Sequence, residues 1–416
     1  MAPAKTPTVL IIGTADTKAD EILFLRQCLE ADGARAAVMD VGVLGKPSFA
    51  PDYPNTDAAA AAGTTIEAIV KLGDENAAMT KMAEGAAKLT RRLYDEGKID
   101  AMLALGGTMG TDLALDVAAA LPLGVPKFVV STVAFSHLIP PERLSPDLMM
   151  ILWAGGLYGL NSVCKSVLSQ AAGAVHGAVR TATKPQTQRP LIGIGSLGKS
   201  CIDYMVRLKP ALEQRGYEVA VFHCTGMGGR AMEALAEQRK FAAVLDLCIC
   251  ESANFYNGSV VNAGASRLEA AGAAGIPQII APAASDMIDF QTWRPLPEKY
   301  KDRPYHAHNR LIASVTMTPD ERRGFAGYVG DKLAKTKGPT VFVLPNMGFH
   351  AWDKPGEPLH EPEGIKAMVE GFRDAIRPPA RLVEIDAHVN DVAFSDTVLA
   401  VFDEWVRRGV VVPGVA

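Results

Sequence analysis

The residues best equipped for chemistry sit where apolar runs end. Ala101-Met102-Leu103-Ala104-Leu105 runs into Gly106-Gly107-Thr108-Met109-Gly110-Thr111, and an alanine-rich helical pattern extends from Asp112 to Leu121. Strand, glycine turn, helix is the order that turns backbone N–H groups and the positive end of a helix towards an anion. Two further strand ends in the same half are polar: Gly13-Thr14-Ala15-Asp16-Thr17-Lys18 and Ser131-Thr132. Together they offer amides, hydroxyls, one cation and one carboxylate, the donor set that phosphate needs. A glycine turn alone can serve only to let a strand meet a helix; three polar strand ends in one half favour an anion site. The turn lacks the Gly-Lys-Ser/Thr tail of a Walker loop, and it is not a Gly-x-Gly-x-x-Gly dinucleotide fingerprint.

Histidines and carboxylates gather later in the chain. His306 and His308 lie in Tyr305-His306-Ala307-His308-Asn309-Arg310, with His350, His360 and His388 further on. His-x-His on extended backbone puts both rings on one side, a spacing seen in metal sites and also among hydrogen-bonded loop histidines. Asp286, Asp289 and Glu251 are acid/base candidates. Arg230 comes after Gly226-Met227-Gly228-Gly229 at the start of an expected helix over 231–238. There it suits a carboxylate or phosphate, or a pairing with Glu233 or Glu237.

These groups need a scaffold. At 416 residues the chain is too long for one ordinary core. An apolar fraction of 48% fits an α/β protein, and a formal charge of −4 gives no footprint for nucleic acid. No leader and no membrane-length apolar span is evident, and six scattered cysteines read as reduced core residues of a cytoplasmic protein. Cys248 and Cys250 are expected on opposite faces of a strand. TVLIIG (8–13) reads as a buried parallel strand, 20–31 as a helix and 36–41 as the next strand, a βαβ unit. Residues 42–65 read as a long loop of the kind used for lids or binding. Beyond it come a helix over 79–96, strands over 125–132 and 148–153, and a helix over 161–179.

The polar, proline-bearing stretch 181–190 reads as a linker. Beyond this linker the chain repeats its start. PLIGIG (190–195) matches the first strand, Ser196-Leu197-Gly198-Lys199-Ser200 takes the place of the first turn, and Gly216 takes the place of Gly33. Residues 241–250 correspond to the strand before Gly106, and 274–280 mirror 123–129. The fold class is therefore α/β: two Rossmann-like domains with mostly parallel sheets, related by internal duplication, over 1–184 and 185–416, with a cleft between them. Strands over 315–318, 339–344 and 381–386 and helices over 202–214, 319–336, 364–376 and 396–408 complete the second half, with a polar loop over 285–309.

With these motifs assembled, the chain resembles the family named for the ATP-binding region of the tomato mosaic virus resistance protein. The stretches that carry the resemblance are 12–18, 106–111, Ser131-Thr132-Val133-Ala134, Gly159-Leu160-Asn161, 226–230, 281–289, His308-Asn309 and 386–391, in order along nearly the whole chain. The resemblance implies two Rossmann-like halves, ATP binding in the amino-terminal half, a homodimer, and a working partner with an aldolase-like barrel. It implies no settled reaction. Where relatives carry Gly-x-Ser before an Asp-x-Pro-Gly loop, this chain has His350 in Gly348-Phe349-His350-Ala351-Trp352-Asp353-Lys354-Pro355-Gly356. The glycine turn is also similar to the Gly-Gly-Asp-Gly-Thr turn of sugar and dinucleotide kinases, with Thr108-Met109 in place of the aspartate.

The expectation is ATP held by Gly13, Thr14, Thr17, Gly106, Gly107, Thr108, Gly110, Thr111, Ser131 and Thr132. Lys18 neutralises charge and Asp16 holds Mg2+ through water. A small anionic ligand is expected near Glu251, Arg230, Asp286, His306 and His308, as catalytic candidates. Two alternatives stand beside it: a metal- or acid/base-dependent enzyme of small carboxylate metabolism with a regulatory or vestigial nucleotide site, and an ATP-binding regulatory module without turnover.

Overall fold

The computed structural model describes residues 6–183 and 188–415, which fold as two compact units, one on each stretch. The expected domain boundary and residues 184–187 of the expected linker lie outside the described residues.

The first unit opens with β1 (Thr8–Gly13), buried along its whole length, as a parallel strand covered on both faces must be. Next come α1 (Ala19–Ala31), β2 (Arg35–Asp40), α2 (Asn55–Ala61), α3 (Ile66–Val70), α4 (Glu75–Asp95) and β3 (Ala101–Gly106). α5 (Thr108–Ala120), β4 (Lys127–Ser131), β5 (Leu148–Leu152) and α6 (Ser162–Thr181) complete it. The strands form one parallel sheet in the order β2-β1-β3-β4-β5. Alternate side chains of β1 serve opposite faces. Val9 and Ile11 pack with Ile22 and Leu25 of α1 and Leu168 and Val175 of α6. Leu10 and Ile12 pack with Met82 and Leu89 of α4 and Leu113 and Val117 of α5.

The second unit contains β6 (Leu191–Ser196), α7 (Ile202–Gln214), β7 (Glu218–His223), α8 (Met227–Glu237), β8 (Ala243–Cys248), α9 (Cys250–Tyr256), α10 (Ala270–Ala273) and β9 (Gln278–Ala283). β10 (Met287–Gln291), β11 (Tyr305–Ala307), β12 (Ile312–Thr316), α11 (Pro319–Leu333), β13 (Thr340–Pro345), α12 (Pro362–Ala375), β14 (Arg381–Ile385) and α13 (Val392–Arg407) complete it. Its main sheet is parallel, in the order β14-β13-β9-β8-β6-β7. Read from the other edge, β7-β6-β8-β9 repeats β2-β1-β3-β4, so the duplication is present in topology. Gly33 and Gly216 end the first helix of each half at φ +87° and +86°, the left-handed conformation that glycine adopts without a Cβ penalty.

Four local expectations are corrected. The stretch 42–65 is not one loop: Tyr53 bridges to Met39 and α2 lies within it. The expected polar loop over 285–309 supplies β10 and β11, which with β12 form an antiparallel sheet, β10-β12-β11. α8 starts at Met227, so Gly228, Gly229 and Arg230 lie inside its first turn rather than before it. The strand expected over 241–250 stops at Cys248, and Cys250 and Glu251 begin α9. The chain turns there, so the Cys248 and Cys250 sulfurs come within 3.7 Å instead of facing apart.

Candidate functional site

In an open parallel sheet the loops diverge where strand order reverses, and ligands sit outside the carboxyl ends there. In the first unit that point lies between β1 and β3. A cavity of about 320 Å³ opens at it, lined by Thr14, Asp16, Thr17, Lys18, Val43, Leu44, Glu75, Met79 and the turn from Gly106 to Gly110. A second hollow of about 480 Å³ shares Glu75, Met79, Thr108 and Met109 with it and continues over Leu115, Val133, Leu138 and Ile139.

The glycines of the turn differ in their reasons. A Cβ on Gly106 would lie 2.6 Å from Gly110 Cα, so packing of strand against helix excludes any other residue. A Cβ on Gly107 would meet nothing nearer than Thr132 Oγ1 at 3.8 Å, and its φ of −72° suits any residue. Gly107 is also the N-cap of α5, with no side chain capping the helix. The first-turn amides of a helix have no intrahelical acceptor, and serine, threonine or aspartate at the cap would supply one. The chain therefore leaves donors open towards the cavity at a position where a side chain would fit.

Other expected phosphate ligands stand behind this surface. Gly13 is buried at the end of β1, where a Cβ would meet Leu105 Cδ2 at 2.9 Å and Ile22 Cδ1 at 3.2 Å. Thr111 and Ser131 are buried and share a hydrogen bond of 2.7 Å, and the Val133 amide donates to Ser131 Oγ at 3.0 Å. They brace the turn, and Thr132 N–H does so too by donating to Gly106 O at 3.2 Å. Thr14 and Thr17 share a hydrogen bond of 2.8 Å at the cavity wall, and Lys18 Nζ lies 4.7 Å from the Tyr158 ring centroid. Asp16 Oδ2 accepts from the amides of Leu44 and Gly45 at 2.9 and 3.0 Å, pinning that loop to the site. Its Oδ1 is buried without a hydrogen-bond partner. Glu75 is missed when α4 is taken to start near Met79, although Asp74 is a recognisable N-cap that accepts from Ala77 N–H.

The second unit opens a cavity beyond the ends of β6 and β7, about 390 Å³, lined by Leu197, Gly198, Lys199, Ser200, His223, Thr225, Asp289, His306, His308 and Trp352 among others. Both imidazoles of the His-x-His pair pack on Trp352, each with ring centroids 4.5 Å apart. Lys199, Ser314 and Trp352 do not stand out in the sequence as site residues. A signal for Lys199 existed: Gly193 to Ser200 spells Gly-x4-Gly-Lys-Ser, the P-loop pattern. Here β6 continues through Ser196, so only Leu197 separates the strand from a short 3-10 turn at Gly198–Cys201. The long phosphate-wrapping loop is missing.

His308 is pushed down to about 4 by burial, helped by neighbouring His306 and His350. It is therefore neutral at pH 7, and a histidine-resolved NMR titration is expected to find its midpoint near 4, below the ordinary range. A midpoint near the ordinary histidine value of about 6.5 would contradict this environment.

The remaining catalytic candidates are engaged elsewhere. Glu251 is fully buried: Oε1 accepts from the amides of Gly226 (2.6 Å) and Gly229 (3.1 Å), and Oε2 from Arg267 Nε (2.9 Å). Gly229 is glycine because a Cβ would sit 1.7 Å from Glu251 Oε2. Arg230, half-buried in α8, does not line the cavity. Asp286 is buried beside His350 Nε2 (3.3 Å) and Arg322 Nη1 (3.6 Å). Burial alone would raise it, yet the His350 imidazolium and Arg322 hold its carboxyl at about 2. Asp286, His350 and Asp353 bring ligand-type atoms within 4.8 Å of one another, but Asp286 already lies beside Arg322 and His350, and Asp353 Oδ1 lies 2.8 Å from His388 Nε2. Among the described residues neither His306 nor His308 belongs to such a group.

Fold and sites thus define a tandem Rossmann-like α/β protein in which each half opens a cavity beyond the carboxyl ends of its parallel strands. The chain belongs to the uncharacterised protein family UPF0261, whose N-terminal domain matches residues 7–184 and C-terminal domain residues 189–406. It is 55% identical over 413 residues to a UPF0261 protein of Brucella melitensis, covering 99% of each chain. It is 35% identical to one of Clostridium tetani, over 93% of this chain and 96% of that one. The ToMV resistance protein Tm-1(GCR237) of Solanum lycopersicum is 28% identical over 97% of this chain and 56% of its own length. Among the described residues no helix is long and apolar enough to cross a membrane.

Proposed function

We propose that the protein binds ATP at the first unit's cavity and uses it in acting on, or sensing, a small anionic metabolite. Gly107 is the observation that carries this reading. It leaves a helix end uncapped and unobstructed, beside Thr14, Thr17 and Lys18, where the fold would accept a capping side chain. Such a place suits an oligophosphate approaching the backbone closely. The adjoining hollow over Met79, Leu115, Val133 and Ile139 offers an apolar surface of the kind a nucleobase needs. Mg2+ travelling with the phosphates would offset their charge. Asp16 and Glu75 line the cavity and carry the carboxylates suited to its hydration shell.

Thermal unfolding tests this. A ligand that binds only the native state stabilises it by about 2.7 kcal/mol at a hundredfold excess over Kd. Unfolding is therefore expected to shift upward with ATP and Mg2+, and less with inorganic phosphate. An unchanged midpoint at millimolar ATP would remove the proposal.

A further inference from the structure

We infer that the second unit holds an acid/base site in which His308 moves a proton on a small 2-oxo or 3-oxo carboxylic acid, positioned by Ser314 and Asp289. This stands independently of nucleotide binding by the first unit.

The chain of hydrogen bonds has one consistent direction. Asp289 N–H donates to Asn254 Oδ1 at 2.8 Å, which fixes that amide so that its Nδ2 donates to Asp289 Oδ2, also at 2.8 Å. Ser314 Oγ lies against Asp289 Oδ1, and its single hydrogen goes to that carboxylate. Ser314 Oγ then accepts from His308 Nε2, 2.7 Å away. The neutral imidazole is thereby held as the Nε2–H form, with Nδ1 left as a free acceptor.

The strands make this arrangement rigid. In the antiparallel sheet Asp289 of β10 pairs with Ser314 of β12, and His306 of β11 pairs with Ser314 from the other side. Directly opposed residues share a face, so one register places the carboxylate, the hydroxyl and the histidine pair in a row. Trp352 holds both imidazole planes from the side. Ser314 itself is fully buried, so it is a connector and not a nucleophile.

The cavity offers one cation for an anionic substrate. Lys199 lines it, and Asp289, its one carboxylate, is already matched by Ser314 and Asn254. Its volume, about 390 Å³, accommodates a small metabolite. With the substrate carboxylate near Lys199, His308 Nδ1 takes a proton from the carbon beside the carbonyl, and the electron pair remains on the substrate as an enolate. The imidazolium so formed faces Asp289 through Ser314. Returning the proton, to the same carbon or its neighbour, restores the imidazole and balances the step.

The test is exchange of C–H for C–D in D2O, read by proton NMR with pyruvate, oxaloacetate, 2-oxoglutarate and acetoacetate as probes on the full chain. Exchange above the buffer rate is expected for at least one probe. His308→Gln should lower it by up to about 100-fold, the lower end for a general base, because an imidazole held at about 4 is a weak base at pH 7. Ser314→Ala should lower the rate with little change in half-saturation, and Ser314→Thr should restore it. Side-chain nitrogen NMR of the parent should show the Nε2–H tautomer at His308, shifting towards a mixture in Ser314→Ala. No exchange with any probe, an unaffected His308→Gln protein, or an Nδ1–H tautomer would each overturn the inference.

Discussion

Arg267→Met is expected to destabilise the second unit by about 3–5 kcal/mol, the cost of leaving buried carboxylates without their cation. Arg267 is fully buried between three of them. Its Nη2 donates to Asp246 Oδ1 at 2.7 Å, Nε to Glu251 Oε2 at 2.9 Å and Nη1 to Glu233 Oε1 at 3.2 Å, with a second contact to Asp246. The cluster ties β8, α8 and α9 together, and total stabilities of about 5–15 kcal/mol leave little reserve for its loss. Methionine fills much of the volume, so the loss would report charge more than packing. The dependence on pH comes from the sign of the shifts. Burial already raises Glu233 and Glu251 against the pull of Arg267. Without Arg267 they rise further, and a carboxyl whose folded pKa exceeds its unfolded one destabilises when ionised and is relieved as pH falls. Urea unfolding should therefore show a smaller penalty at about pH 5 than at about pH 8. A penalty under about 1 kcal/mol at the higher pH would mean the cluster is not an ionic keystone.

Gly107→Asp is expected to fold at least as well as the parent while losing ATP. Its backbone φ of −72° needs no glycine, a Cβ meets nothing closer than 3.8 Å, and aspartate is a preferred N-cap. The same carboxylate would cap the open amides and repel phosphate. Like charges brought together cost several kcal/mol, so affinity should drop at least about 100-fold. Gly106→Ala makes the contrast, since its Cβ would sit 2.6 Å from Gly110 Cα and should weaken the fold itself. A Gly107→Asp protein that melted early would mean that glycine is there for packing.

Much of the fold and of the first unit's cavity was legible in the sequence because short-range rules govern it. TVLIIG and PLIGIG announce parallel strands, the glycines at 33 and 216 end matched helices, and polar strand ends mark where a parallel sheet binds. What escaped depends on register and long-range packing. Nothing local distinguishes Arg267 or Ser314; one is defined by carboxylates contributed from three elements, the other by antiparallel pairing of β12 with β10 and β11. Glu251 reads from the sequence as an acid at a strand end, and it is instead an internal partner of Arg267 because the chain turns into a helix one residue before it. The second glycine turn reads as a place where Arg230 meets a carboxylate or phosphate, or pairs with Glu233 or Glu237. Gly229 instead makes room for that ion cluster. The duplication itself is readable, with Ser196 to Ser200 in the place of Thr14 to Lys18, whereas only the structure shows that Lys199 lines a cavity as Lys18 does.

Nucleotide binding by the first unit is examined most directly by calorimetric titration of ATP with Mg2+ into the parent and into Gly107→Asp. Saturable heat with one site per chain in the parent, and none in the variant at the same concentrations, is the predicted result. Equal affinity in the two proteins, or no binding to the parent, would contradict it.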